Sequence, residues 1–147
     1  MKHAIITISF FFLVLLSGCD KCKEKTMSTK HFESEYGCAD TKHTLIVDLT
    51  DAGMIIRSKE EFDSKVSGIC HPDIDFNLYD LVIGKQSTCN MVDTVLYDYG
   101  TDCPDAKLTL NVDIVQSDIT TPDNVVYHAL LPKLGNGEDL TLNLNVR

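Results

Sequence analysis

The residues best equipped for chemistry are the six cysteines, the five histidines and the acidic residues near position 73. Cys19 and Cys22 stand in C-x-x-C spacing, the pattern of a redox pair or of half a zinc site. Cys70 and His71 place a thiol next to a base. Adjacent residues of an extended chain point to opposite faces, so these two would not meet as a pair. That leaves only a distant Cys–His pair for thiol chemistry, with His31, His43 and His128 as the other histidines in question. Asp73, Asp75 and Asn77 open like an EF-hand loop. Position six is then Leu78 instead of Gly and position twelve is Gly84 instead of Glu, so the motif fails. Asp75 is expected to cap its own loop instead. No G-x-S-x-G, G-x-G-x-x-G or Walker loop occurs, and Ser58 reads as a helix cap. No catalytic residue, metal ligand or cofactor is assigned, and the chain is not expected to be an enzyme. Tyr97 and Tyr99 share a strand face by period two and form a candidate binding surface for sugar or peptide. The commoner role of such tyrosines is half-buried packing with the hydroxyl in water.

The balance of charge narrows the partners. The chain has 147 residues and a formal net charge of −9. Nucleic-acid phosphates need Lys and Arg partners, so nucleic acid is excluded as a ligand class. Electrostatic docking onto anionic lipid is disfavoured for the same reason.

Residues 1–18 have Lys2 as a short basic start, followed by an apolar run over 4–16. That run has the length of a signal-peptide core and falls short of the roughly 20 residues a spanning helix needs. A buried N-terminal helix fits badly, because the segment is apolar all round. The residues Leu16-Ser17-Gly18-Cys19 resemble the lipobox of bacterial lipoproteins. The resemblance covers the first 19 residues. It implies a diacylglycerol thioether on Cys19, cleavage just before it, and acylation of the new amine. Two or three acyl chains anchor a protein stably where one does not. The implied address is the envelope of a Gram-negative bacterium, lipid-anchored, at the outer membrane in preference to the inner. Asp20 retains lipoproteins in the inner membrane of enteric bacteria, a rule that other lineages do not follow. A thioether-linked Cys19 can serve neither a redox pair nor a zinc site, so the C-x-x-C is spurious.

Five cysteines then remain, in a compartment that permits disulfides. An odd number leaves at least one thiol over. Cys89 and Cys103 flank the apolar segment 91–99 and form one candidate bridge. Cys22 with Cys38, or Cys38 with Cys70, are others, and spacing alone leaves the connectivity open.

Residues 19–42 are polar, charged and aperiodic, and read as the lipidated N-terminus and a flexible tether. Residues 43–147 read as a single β-rich domain. β-branched runs at 43–50 and 54–58 predict two strands. Residues 58–66 predict the one clear helix, with Ser58 and Glu61 as a capping box and Phe62 and Val66 on one face. Further strands are expected near 79–85, across 91–99, and at 107–116, 124–131 and 139–146. The segments 107–116 and 139–146 alternate apolar and polar residues, whereas 124–131 is apolar on both sides and so reads as central. The expected fold is α+β and mostly antiparallel, a sheet or sandwich of six or seven strands with one short helix. An all-β sandwich is the alternative.

The order of strand, helix, loop and strand carries a weaker resemblance to the C-terminal domain of the PrcB family of bacterial protease-complex subunits. Ser58, Glu60, Glu61, Pro72, Asp75, Phe76 and Gly84 match, over roughly residues 54–132. The family's Gly-Gly-Tyr-like turn after that Gly is absent. The resemblance implies a protease-associated regulator or inhibitor. Without it, an anchor beside no catalytic constellation points to a non-catalytic binding or accessory module for a protein or envelope polymer.

Overall fold

The computed structural model describes residues 25–49, 53–103 and 107–147. The leader, Cys19 and Cys22 lie outside these residues. The fold is strand-rich, with antiparallel and mixed sheets and three short helices among the described residues.

Two sheets carry the architecture. One is built from β3 (Gly53–Ile56), β5 (Tyr79–Thr88) and β8 (Asp123–Pro132), paired antiparallel in the order β3-β5-β8. The other has the order β1-β6-β7-β9, from β1 (Lys25–Met27), β6 (Val92–Asp102), β7 (Lys107–Gln116) and β9 (Leu140–Val146). In it, β7 pairs antiparallel with β6 and parallel with β9. A small pair of β2 (Leu45–Val47) and β4 (Val66–Gly68) stands apart.

Period two decides which side chains meet. On β7, Leu110, Val112 and Ile114 are fully buried, and they share one apolar cluster with Val125, Tyr127, Ala129 and Leu131 of β8. The other face of β8 sends Val126 and Leu130 into a second cluster with Phe32, Phe62, Leu81 and Ile83. β8 is thus buried on both faces, as its apolar run, interrupted by His128, implies. It is nevertheless the last strand of its sheet, so the expected central position is corrected. Being covered on both faces and being flanked on both edges are separate conditions, and only the first writes itself into hydrophobicity. The two sheets approach closely at Gly53. A Cβ there would lie 2.9 Å from Leu142 Cδ2 and 2.5 Å from Tyr127 Oη.

The predicted helix is α3 (Lys59–Lys65), which Ser58 caps by accepting from Glu61 N at 3.2 Å, with Phe62 buried beneath it. Asp75 caps its loop as expected, its Oδ1 accepting from the Asn77 amide at 2.9 Å.

The segment 25–42, expected as part of a tether, is folded. Residues 25–42 belong to the fold: β1 pairs with β6, and α1 (Phe32–Tyr36) and α2 (Thr41–Thr44) pack onto β8. Phe32 is completely buried, its ring 6.2 Å from Phe62 in edge-on geometry. Gly37, at φ 68°, ends α1 in the left-handed conformation and turns the chain into Cys38. A segment that supplies only a few scattered apolar side chains, Met27, Phe32 and Cys38, has no periodicity to show, so its polarity hid its role.

Cys38 and Cys70 form a disulfide, one of the pairings the spacing left open, with Cα atoms 5.7 Å apart. The expected Cys89–Cys103 bridge is corrected: Cys89 is a free, exposed thiol and Cys103 is disulfide-bonded elsewhere. Cys89 sits at the far end of β5 and Cys103 past the end of β6. The eleven residues of β6 run extended between them and hold the two cysteines at opposite ends of the strand, which sequence spacing does not report.

Candidate functional site

The candidate site lies where α1 and α2 cross β8 beside β6. His128 projects from β8 toward the helices, in register with Val126 and Leu130, and is almost fully buried. The Phe32 ring stacks on it at 4.3 Å between centroids. A polar ring in such a place needs partners. Nε2 finds one in Thr41 Oγ1 at 2.6 Å, on the first residue of α2. The Thr41 hydroxyl in turn donates to Glu33 Oε1 in the first turn of α1, and the Thr41 amide donates to the same oxygen at 3.3 Å. Because the hydroxyl spends its proton on Glu33, His128 Nε2 must be the donor to Thr41. The hydrogen-bond network therefore assigns the Nε2–H tautomer.

Glu33 Oε2 also lies 3.6 Å from His128 Nε2. The His128 contact, followed by the Thr41 hydroxyl, outweighs desolvation and holds the Glu33 carboxyl down to about 2.

Two more aromatic residues complete the wall. The Tyr97 hydroxyl on β6 accepts the His128 backbone amide at 3.0 Å, and burial pushes its ionisation well above the usual range. His31 precedes α1 and lies 4.6 Å from Tyr97, centroid to centroid. Its Nδ1 bonds to the His128 carbonyl at 3.2 Å. Between these groups opens a cleft of about 450 Å³, with Asp40, Lys42 and Asp93 also on its lining.

The geometry does not match an acyl-transfer relay. Such a relay needs the hydroxyl on one imidazole nitrogen and the carboxylate on the other. Here both gather on Nε2, while Nδ1 is buried without a partner. The Thr41 hydroxyl donates to a carboxylate held down to about 2, too weak a base to take its proton near neutral pH, and the protonated Nε2 cannot take it either. What the arrangement offers is a rigid, hydrogen-bonded floor under an aromatic-walled cleft.

The sequence candidates fare unevenly against this site. Tyr97 and Tyr99 do share a face, but it is the inner one, and the pair is split as a binding surface. Tyr97 lines the cleft, whereas Tyr99 is buried in the apolar cluster that holds Leu110 and Tyr127. Cys70 is consumed by its disulfide, and the His71 ring lies tilted against Phe62 at 4.4 Å. Among the described residues no group of three His, Cys, Asp or Glu side chains is placed to hold a metal ion. Glu33 and Thr41 were not legible as site residues. The one available signal was His128, a single polar residue inside a doubly apolar run, which obliges some other segment to supply its partner.

A second polar cluster, at Asp80, ties the structure together. This fully buried carboxylate accepts from Lys133 Nζ at 2.6 Å and from the Leu134 amide at 3.1 Å. It fastens the chain leaving β8 back onto β5.

No protein-family model, no curated protein and no solved structure matches the chain. Nothing positive points to an enzyme activity.

Proposed function

We propose that the chain is a lipid-anchored protein of the bacterial envelope whose domain recognises a protein or envelope polymer without transforming it. In this reading the three-stranded and four-stranded sheets pack face to face as a sandwich, and the cleft beside β8 is the recognition site. The carrying observation is the chemistry of that cleft. Glu33, Thr41 and His128 Nε2 satisfy one another, while Tyr97, His31, Asp40 and Asp93 line the cleft with aromatic and acidic residues. Largely preformed concave sites with few fixed polar groups are the usual form of ligand sites.

The test is affinity capture from detergent-solubilised envelope with the full chain, comparing it with the cleft variants His31→Ala and Asp93→Arg. The expected result is one captured species, lost with either variant while the thermal midpoint holds. Capture that both variants leave intact overturns the cleft as the site. A protease among the captured proteins, with altered activity on addition of this chain, would move the reading to the regulator class that the PrcB resemblance implies.

A further inference from the structure

We propose that β9 is the contact strand of a symmetric dimer, pairing antiparallel with β9 of a second copy about an axis through Asn143. This inference stands apart from the cleft.

β9 has β7 on one side, and among the described residues no strand pairs with its other side. Exposed edges are ordinarily blunted by charge, proline, a bulge or shortness. The other open edges of the two larger sheets are short, with three residues in β1 and four in β3, and the outer edge of β8 is partly covered by a bridge to Lys30. β9 has none of these protections. Its seven residues, Leu-Thr-Leu-Asn-Leu-Asn-Val, hold no charge and no proline, and its pairing with β7 runs without a register shift.

The backbone fixes which groups are on offer. The Arg147 amide donates to Ile114 O at 3.0 Å, and its carbonyl accepts from Gln116 N at 2.7 Å. Backbone groups alternate sides along a strand. Thr141, Asn143 and Asn145 therefore face β7 as well, and the amides and carbonyls of Leu140, Leu142, Leu144 and Val146 point outward.

The sequence of β9 is complementary to itself about Asn143. An antiparallel copy sets Leu140 opposite Val146 and Leu142 opposite Leu144, so that outward groups meet outward groups and apolar side chains meet apolar ones. Thr141 falls opposite Asn145, and Asn143 opposite itself. Just beyond the strand, the same register sets the exposed Arg147 opposite the exposed Asp139 of the second copy. Opposite charges directly across a pair are favourable, and the two-fold axis supplies this one twice. Within its own chain Arg147 lies 3.3 Å from Asp113, which keeps the guanidinium on that polar face of the sheet. Axes at Leu142 or Leu144 would leave strand residues unpaired and would lose the Arg–Asp match.

The experiment uses the full chain in density-matched detergent, with Cys89→Ser to remove the free thiol. Sedimentation should show a concentration-dependent dimer in the micromolar to millimolar range. Asn143→Cys should give a disulfide-linked dimer on oxidation. Thr141→Cys alone should not, whereas Thr141→Cys combined with Asn145→Cys should. Arg147→Glu should weaken the dimer by about tenfold, and adding Asp139→Lys should restore it. A monomer throughout that range overturns the proposal. So does a dimer that Asn143→Cys fails to cross-link, or one indifferent to the charge exchange.

Discussion

Glu33 is a residue whose charge is tied to the folded state. Its carboxyl is held to about 2, against an ordinary value of 4.5, by His128 first and Thr41 second. A depressed folded value means that the stabilisation is complete above about pH 4.5 and drains away as the pH falls toward about 2. The side chain remains 44% exposed, so screening by water keeps the effect modest. Glu33→Gln should flatten the pH dependence of the urea midpoint across this window, lowering the midpoint modestly at pH 7 and converging with the parent toward pH 2. An unchanged acid limb in that variant would show that other carboxylates carry it.

At the scale of elements, the short helices matter more than their length suggests. Neither α1, with five residues, nor α2, with four, would persist in isolation, since helices that short do not repay nucleation. Packing holds them, through Phe32 against His128 and Phe62 and through the Cys38–Cys70 bridge. That bridge closes a sequence separation of 32 residues, for which the loss of unfolded-chain entropy is worth about 3–4 kcal/mol. Phe32→Ala should therefore cost about 3–5 kcal/mol in denaturant unfolding. A residue in a solvated tether would cost nothing, so a midpoint within experimental error of the parent would return residues 25–42 to the tether.

At the scale of the whole molecule, the proposed reading divides the chain into a leader, an acylated cysteine and a folded domain whose first strand begins at Lys25. Only a short stretch then separates Cys19 from β1, so the domain would sit close to the membrane surface instead of at the end of a long tether. No helix among the described residues is long and apolar enough to cross a membrane. On this reading Cys19→Ser should shift the protein from the membrane to the soluble fraction or leave the precursor uncleaved. Mass spectrometry of the parent should find the diacylglycerol adduct at that thiol. A bare thiol on an unprocessed chain would remove the anchor.

Much of this protein was legible in one dimension because its physical cause is local. The alternation of Leu108, Leu110, Val112 and Ile114 places the strand that becomes β7, Ser58 and Glu61 place the start of α3, and Asp75 closes its loop. Each depends on residues within a few positions of one another. The site was decided elsewhere. His128 meets Thr41 across 87 residues and Tyr97 across 31, Cys38 finds Cys70, and β9 lies parallel to β7. A composition or a period carries no record of which distant segment will answer a buried imidazole, a thiol or an open strand. Only the closing of the chain around a shared core brings those partners within bonding distance.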